Sequence, residues 1–187
     1  MNMKETIVQK ARELFIEQGY AATSIKQIAN AAGCATSALY YYFAEGKSQI
    51  LNEVVRSYSL NVFRAFGDGN EATSFSELVE RFGNMILHGT PDFLPSMNWL
   101  VLDFPRLSDA EKRHVHSLLL EMHRFIATKM ARFVEQQQLA QSIAWMLICT
   151  YFGYDQLFVT LELDRVSDLK PDAFIQLTTR ILKHETS

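Results

Sequence analysis

The chain has 187 residues, of which 48% are hydrophobic and 21% charged, and its net charge is −3. This length fits one ordinary domain or a small domain joined to a larger one, and the composition is that of a globular protein rather than of one that binds nucleic acid over its whole surface. The two cysteines have no disulfide or metal-binding spacing, and the first residues form no apolar signal segment, so we expect a cytoplasmic protein.

The apolar spacing is helical along nearly the whole chain, and we predict an all-α protein of about nine helices without a sheet. The first helix carries the apolar stripe over residues 7–15 and ends at Gly19. The second begins at Ser24, with Gln27 as its capping-box partner, and the third runs over about residues 36–43.

A longer fourth helix is predicted over residues 48–66, before the clearest break in the chain, the run Gly67-Asp68-Gly69-Asn70. Further helices are predicted to begin at Ser74, at Thr90-Pro91 and at Ser108, each with a residue type suited to a helix start. Ser74 has Glu77 and Ser108 has Glu111 three residues later, which predicts two more capping boxes.

Residues 143–154 are apolar almost all round, but a transmembrane helix needs about 20 such residues. We therefore predict a buried helix here, and Pro171 begins the last helix. These elements divide the chain into an N-terminal head over residues 1–47 and a helical body over residues 48–187. The helix over 48–66 connects the two.

Two short helices joined at Ala32-Gly33-Cys34 have the proportions of a helix-turn-helix. Leu39 and Phe43, four residues apart, can anchor the second helix in a core. Its outer face then carries side chains that can approach base edges and phosphate oxygens: Thr36, Ser37, Ala38, Tyr40, Tyr41 and Tyr42. By pattern alone, an ordinary core hairpin with an aromatic stripe is the alternative.

Two stretches resemble the signature of the TetR family of helix-turn-helix transcriptional regulators: Thr23-Ser24-Ile25-Lys26-Gln27-Ile28-Ala29-Asn30-Ala31-Ala32-Gly33-Cys34 and Ala38-Leu39-Tyr40-Tyr41-Tyr42-Phe43. The resemblance covers about residues 4–58 and includes Gly46-Lys47 near its end. Two departures stand out. Ala35 occupies the place of the family's usual capping serine, which makes Thr36 a candidate cap, and the turn after Phe43 is one residue longer than the commonest form.

The resemblance implies a homodimer that reads the half-sites of a palindromic operator in double-stranded DNA, most often as a repressor released by a small-molecule inducer. It implies phosphate contacts for Tyr40 and Lys47, and base contacts for Thr36, Ser37 and Tyr41. Lys26 and Gln27, on the supporting helix, are secondary DNA-binding candidates. The alternative is a DNA-binding regulator whose body binds a protein partner instead of an inducer.

The body is implied to hold both the ligand pocket and the dimer interface. For an apolar or amphipathic ligand, the candidate pocket residues are Phe82, Met85, Ile86, Trp99, Leu102, Met122, Trp145, Met146 and Tyr151, with His88, Asp103 and His123 as polar anchors. The candidate dimer contacts are Phe158, Leu161, Phe174, Ile181 and Leu182. An ordinary internal core explains the same residues equally well.

The sequence offers no nucleophile–base pair, no metal-ligand set and no glycine-rich phosphate loop, so we expect no enzyme activity and no cofactor. His114 and His116 are two positions apart on a predicted helix and do not share a face, which argues against a metal site. We expect no membrane partner.

Overall fold

The computed structural model describes the backbone of residues 2–67, 72–89 and 93–185. Within these ranges it contains nine α-helices and no strand, which confirms the all-α prediction. The helices are α1 (Met3–Gln18), α2 (Ile25–Ala31), α3 (Thr36–Tyr42), α4 (Lys47–Gly67), α5 (Phe75–Asn84), α6 (Phe93–Asp103), α7 (Asp109–Met130), α8 (Gln137–Tyr154) and α9 (Pro171–Glu185). Two π-helical turns, Met85–Gly89 and Asp155–Thr160, extend α5 and α8.

Two predicted capping boxes form as expected. The backbone N–H of Ser24 donates to Gln27 Oε1 at 2.8 Å, and the N–H of Gln27 donates back to the Ser24 hydroxyl. Ser108 and Glu111 make the same reciprocal pair at the start of α7. Each box satisfies two backbone donors that a helix start would otherwise leave unpaired.

Other predicted helix boundaries differ from the structure or cannot be compared with it. The Ser74 hydroxyl accepts from the N–H of Glu77 as predicted, but the Glu77 carboxylate accepts from the N–H of Thr73 and not from that of Ser74. In the predicted break, Gly67 is the last residue of α4, and the other three positions lie outside the described residues. The predicted helix start at Thr90-Pro91 lies outside them as well.

The chain forms two compact units. Unit 1 consists of Met1–Asn61 and Pro95–Leu119, and unit 2 of Val62–Leu94 and Leu120–Ser187. Unit 1 therefore combines α1, α2, α3 and most of α4 with most of α6 and the first half of α7. The head boundary between residues 47 and 48 stays a prediction from the sequence.

Each unit has its own apolar core. In unit 1 the core residues come from all of its helices: Ile7, Phe15, Ile28, Leu39, Phe43, Leu51, Val54, Trp99, Leu107 and Val115. In unit 2 they come mainly from α5, α7, α8 and α9: Val79, Phe82, Ile126, Met130, Leu147, Tyr151, Ile175 and Leu182. None of the described helices is long and apolar enough to cross a membrane.

Candidate DNA-binding site

The turn between α2 and α3 closes the helix-turn-helix tightly. Gly33 has φ of +69°, a left-handed conformation in which side chains other than glycine are strained. The N–H of Gly33 donates to the carbonyl of Asn30, and that of Cys34 donates to the carbonyl of Ala29 at 3.0 Å. With Leu39 and Phe43 fully buried, α3 is fixed by its inner face. Its outer face is consequently held in one orientation.

The outer face of α3 is open to solvent, as a surface that enters a DNA groove must be. Thr36, Ser37, Tyr40 and Tyr41 are exposed, and Tyr41 retains 84% of its accessible surface. Tyr42 lies edge-on to Tyr41, with ring centroids 5.2 Å apart. The structure therefore brings the four α3 candidates together on one accessible surface.

The start of α3 leaves Thr36 available. The N-cap position is Ala35, whose side chain has no polar atom, and Thr36 is the first residue inside the helix. An N-cap residue is non-helical and accepts from the second or third N–H of the helix, so a residue already inside the helix does not take that role. The expected replacement of the serine cap by Thr36 is therefore wrong, and Thr36 is an exposed residue of the first turn.

The two DNA-binding candidates on α2, Lys26 and Gln27, differ in how many of their polar atoms are available to contact DNA. Lys26 is exposed on the helix surface. Gln27 is exposed too, but its Oε1 accepts from the backbone and from the hydroxyl of Ser24, both at 2.8 Å. Only the amide nitrogen of Gln27 is then left to contact DNA. Lys26 is the stronger candidate of the two.

Lys47, at the start of α4, is half-buried. Its Nζ lies 4.1 Å from the centroid of the Tyr20 ring, in a cation–π contact. Burial lowers the pKa of Lys47, and the nearby carboxylates of Glu111 and Asp103 oppose that shift. A phosphate contact by Lys47 stays a prediction.

The one-residue-longer turn before Lys47 contains Gly46, with φ of +63°. A Cβ at this position would lie 3.2 Å from Cε1 of Tyr40, so the backbone of the turn packs directly on the Tyr40 ring. Glycine is required for the backbone conformation and favoured by the close approach. The longer turn thus supports an aromatic side chain that the sequence assigns to the DNA surface.

Three predicted pocket residues lie in unit 1. Trp99 is buried against Phe15, with ring centroids 5.1 Å apart, and its Nε1 donates to the hydroxyl of Tyr58. Leu102 is 76% exposed. Asp103 is buried and accepts a hydrogen bond from the backbone N–H of Ala21. Trp99 and Asp103 therefore have partners on α1, on α4 and in the turn after α1.

The remaining predicted pocket residues lie in unit 2, in several different environments. Phe82, Ile86, His123 and Tyr151 are buried, Met85 and Met122 are half-buried, and His88, Trp145 and Met146 are exposed. The structure brings together the rings of Phe82 and Tyr151, with centroids 5.7 Å apart, and stacks His123 on Trp145 at 4.2 Å. Both pairs also fit ordinary packing, so the pocket stays a prediction.

A surface cleft of about 550 Å³ lies where α7 ends and α8 begins. Its polar lining consists of Arg124, Thr128, Glu135, Gln137 and Gln141. Among its described lining residues none belongs to the predicted pocket. This cleft could not be predicted from the sequence, because a space between helices does not change the apolar spacing of either helix.

The candidate dimer contacts divide into surface and core. Leu161 and Ile181 are 65% and 53% exposed. Phe158 and Phe174 are half-buried, each with its ring centroid 4.6 Å from that of Tyr154. Leu182 belongs to the core of unit 2 and is 2% exposed, so its side chain is already covered within the chain.

Sequence reasoning missed a polar cluster in unit 1. The Tyr20 hydroxyl donates to the Glu111 carboxylate, which also accepts from the N–H and the hydroxyl of Ser108. Burial and this carboxylate raise the pKa of Tyr20. Burial also tends to raise the pKa of Glu111, but the hydrogen bonds from Tyr20 and Ser108 hold it below its ordinary value. Tyr20 and Glu111 are 91 positions apart, too far for any local pattern to connect them.

The residues of this site are similar in sequence to known proteins. The family model for bacterial regulatory proteins of the tetR family matches residues 7–54, the range that contains α1, α2 and α3. The HTH-type transcriptional regulator LmrA of Bacillus subtilis is 34% identical over 80 residues, which are 42% of this chain and 43% of LmrA. Over these residues the chain is similar to the TetR family. The match spans less than half the length of LmrA.

Solved structures of TetR-family regulators share the whole fold. A TetR-family regulator from Rhodococcus sp. has a TM-score of 0.78 at 12% identity, over 99% of this chain and 98% of that one. A TetR regulator from Legionella pneumophila has a TM-score of 0.76 at 19% identity, over 100% of this chain and 98% of that one. Likeness at such low identity concerns the fold, and the functional residues must be argued from the chain itself.

Proposed function

We propose that this chain is a DNA-binding transcriptional repressor that acts in the cytoplasm as a homodimer on a palindromic operator and is released by a small molecule. The observation that carries the proposal is the outer face of α3. Its hydroxyl and tyrosine side chains are exposed, while Leu39 and Phe43 hold the helix from the inside. A recognition helix needs a fixed inner face and an open outer face.

The assignments on this face follow from side-chain chemistry. Thr36, Ser37 and Tyr41 would contact base edges in the major groove, because short hydroxyl side chains permit close approach and an exposed ring can reach a thymine methyl group. Tyr40, Lys26 and Lys47 would contact phosphates and set the register on the duplex. Gln27 would contribute its free amide nitrogen.

A homodimer would place two such helices on successive turns of one DNA face, about 34–36 Å apart. The proposal is supported by exposed apolar side chains on α8, on α9 and in the segment between them: Trp145, Met146, Leu157, Val159, Leu161 and Ile181. Large exposed apolar side chains that form a patch mark interaction surfaces, and we infer such a patch on this part of unit 2. A second copy of the chain would cover them.

The inducer would be apolar or amphipathic and would bind in the body. The observation that favours such a ligand is the core of unit 2, which combines aromatic and methionine side chains with the buried polar groups His123, Thr178 and Thr179. Pockets for apolar ligands have this mixture of an adaptable lining and few polar groups. The ligand would act by favouring a conformation that DNA disfavours.

The proposal is tested by selecting bound fragments from a pool of random DNA and measuring the affinity for the selected sequence. We expect a palindromic consensus. Tyr41→Ala should weaken binding to it by about tenfold, the effect of one good base contact. Ile16→Ala, which truncates an exposed side chain on α1, is the matched control and should bind like the wild type. A pool with no enriched sequence would refute the repressor function.

A further inference from the structure

Two buried carboxylates connect α6 and α7 to the head. Asp103 is the last residue of α6, Glu111 lies in the first turn of α7, and they are 4% and 8% exposed. Both belong to unit 1 and reach the turn between α1 and α2. Burying a carboxylate costs free energy unless hydrogen bonds compensate for it. Two buried carboxylates that both contact one turn therefore point to a role for these contacts.

Asp103 holds the backbone of that turn. Its Oδ2 accepts from the N–H of Ala21 at 3.1 Å, and its Oδ1 accepts from Arg106 at 3.1 Å. The approach is close enough that a Cβ at Gly19 would lie 2.8 Å from Oδ2. Gly19 also has φ of +84°, so the turn is shaped both by its own backbone and by the carboxylate against it.

Glu111 holds the side chain in the middle of the same turn. The carboxylate accepts from the Tyr20 hydroxyl, and Ser108 fixes it from the other side with its N–H and its hydroxyl. The Tyr20 ring in turn carries the ammonium of Lys47 on its face. One carboxylate thus orients the turn after α1 and, through the ring, the cation at the start of α4.

We propose that Asp103 and Glu111 are positioning residues for DNA recognition, which hold the turn between α1 and α2 and thereby fix the orientation of the helix-turn-helix in unit 1. The inference rests on the proposed function, since it requires sequence-specific DNA binding. Neither carboxylate contacts DNA in this account. They act through Ala21 and Tyr20, and Lys47 is oriented by the same arrangement.

The negative charge of Asp103 and Glu111 lets the sign of the change in DNA affinity distinguish an electrostatic effect from positioning. A carboxylate near a DNA-binding surface repels phosphates, so Glu111→Gln and Asp103→Asn would strengthen DNA binding if charge were all that mattered. Positioning predicts the opposite sign. Asp109→Asn is the matched control, because it removes the same charge from an exposed position in the first turn of α7.

The experiment measures the affinity of each full-length variant for the selected operator and for a random duplex. We expect Glu111→Gln and Asp103→Asn to lose about tenfold in operator affinity, the equivalent of one hydrogen bond to a charged group, while affinity for the random duplex falls by a clearly smaller factor. Loss of folded protein would lower both affinities together. Asp109→Asn should bind both duplexes at least as well as the wild type.

Tyr20→Phe provides a second arm, because it removes only the hydroxyl that donates to Glu111. We expect it to reproduce the loss seen in Glu111→Gln, and the double variant to be no weaker than either single variant, as for two residues that act through one contact. Operator affinities equal to the wild type in both carboxylate variants and in Tyr20→Phe would overturn the inference while leaving the repressor function intact. Failure of the wild type to select any sequence would overturn the repressor function, and the inference with it.

Discussion

Lys26 is exposed on α2, and a phosphate contact by this side chain has a measurable consequence. Each phosphate that a lysine neutralises releases a counterion, so the slope of log affinity against log salt falls by about one when that contact is lost. We expect Lys26→Ala to weaken binding to specific and random duplexes alike and to reduce the slope by that amount. Lys170→Ala, an exposed position in unit 2, should leave the slope unchanged. An unaltered slope in Lys26→Ala would remove Lys26 from the DNA surface.

Asp155 is buried in the π-helical turn after α8, and its burial raises the pKa of the carboxyl above the ordinary aspartate value, against a smaller opposing effect of the hydrogen bond from Gln156. A folded-state pKa above the unfolded one means that the native protein binds the proton more tightly. Stability is therefore lost as pH rises through the raised pKa. Asp155→Asn carries no such charge.

We expect the stability of Asp155→Asn relative to the wild type to increase as pH rises above about 4, the ordinary pKa of an aspartate, as measured by urea unfolding at pH 4 and at pH 7. Asp168→Asn, which changes an exposed aspartate of the same unit, should show no comparable trend. A stability difference that is constant or shrinks with rising pH would show that burial of Asp155 does not control its ionisation.

Which residues of α3 are exposed could be predicted from the sequence, because the positions of Leu39 and Phe43 alone determine which face of the helix is buried. The buried face of α9 could not be predicted from the apolar pattern in the same way. Ile181 and Leu182 are adjacent in sequence and both apolar, yet one is exposed and the other belongs to the core. Adjacent residues on a helix are about 100° apart, and only the packing of α9 on α5 decides which of the two is covered.

At the scale of single helices, Gly83 marks a close contact between α5 and α8. A Cβ at this position would lie 2.5 Å from the Tyr151 hydroxyl oxygen and 2.9 Å from Cγ1 of Ile175, and both neighbours are buried. Gly83→Ala should therefore destabilise unit 2 by about 1–3 kcal/mol, the usual cost of overpacking. Urea unfolding followed by circular dichroism measures the change.

Gly153, in α8, is the matched control because a Cβ there would meet no described atom within 4 Å. Gly153→Ala should stabilise the protein by about 0.5–1 kcal/mol, since alanine is the better helix former. Equal effects at the two positions would mean that α5 and α8 tolerate an added methyl group and are not in the close contact described.

Helix starts could be predicted where the signal is local. Ser24 and Ser108 form the boxes that their spacing suggests, because a capping box involves only residues three positions apart. The π-helical turns could not be predicted in this way. Asp155–Thr160 continues an apolar helical pattern without interruption in the sequence, and the extra residue per turn becomes visible only in the backbone.

At the scale of the whole molecule, the similarity to the TetR family could be recognised from residues 4–58, but the assignment of residues 95–119 to the same compact unit could not be predicted. Trp99 and Asp103 were expected among the pocket residues on composition. Their partners in unit 1 are Phe15 and Ala21, some eighty positions earlier in the chain. Contacts at such sequence separation produce no periodic pattern in the sequence, so the contacts of α6 with the N-terminal helices could not be predicted.

The proposed homodimer is a property of the whole molecule, and a substitution at Ile181 tests it with little risk to the fold. Its side chain is 53% exposed on α9, so Ile181→Glu adds a charge to the surface without opening the core. A charge placed in an apolar interface is strongly disfavoured, and we expect the variant to sediment as a monomer at concentrations where the wild type is a dimer. Gln176→Glu, exposed on the same helix, adds the same charge and should remain dimeric.

Loss of the dimer should also lower the affinity for DNA. Binding energy from two half-sites adds only when both heads are joined, so a monomer should lose affinity for the palindrome by far more than for an isolated half-site duplex. A monomeric Ile181→Glu that binds the palindrome as tightly as the wild type would mean that each head recognises DNA independently. If Ile181→Glu stays dimeric, the exposed face of α9 is not part of the dimer interface.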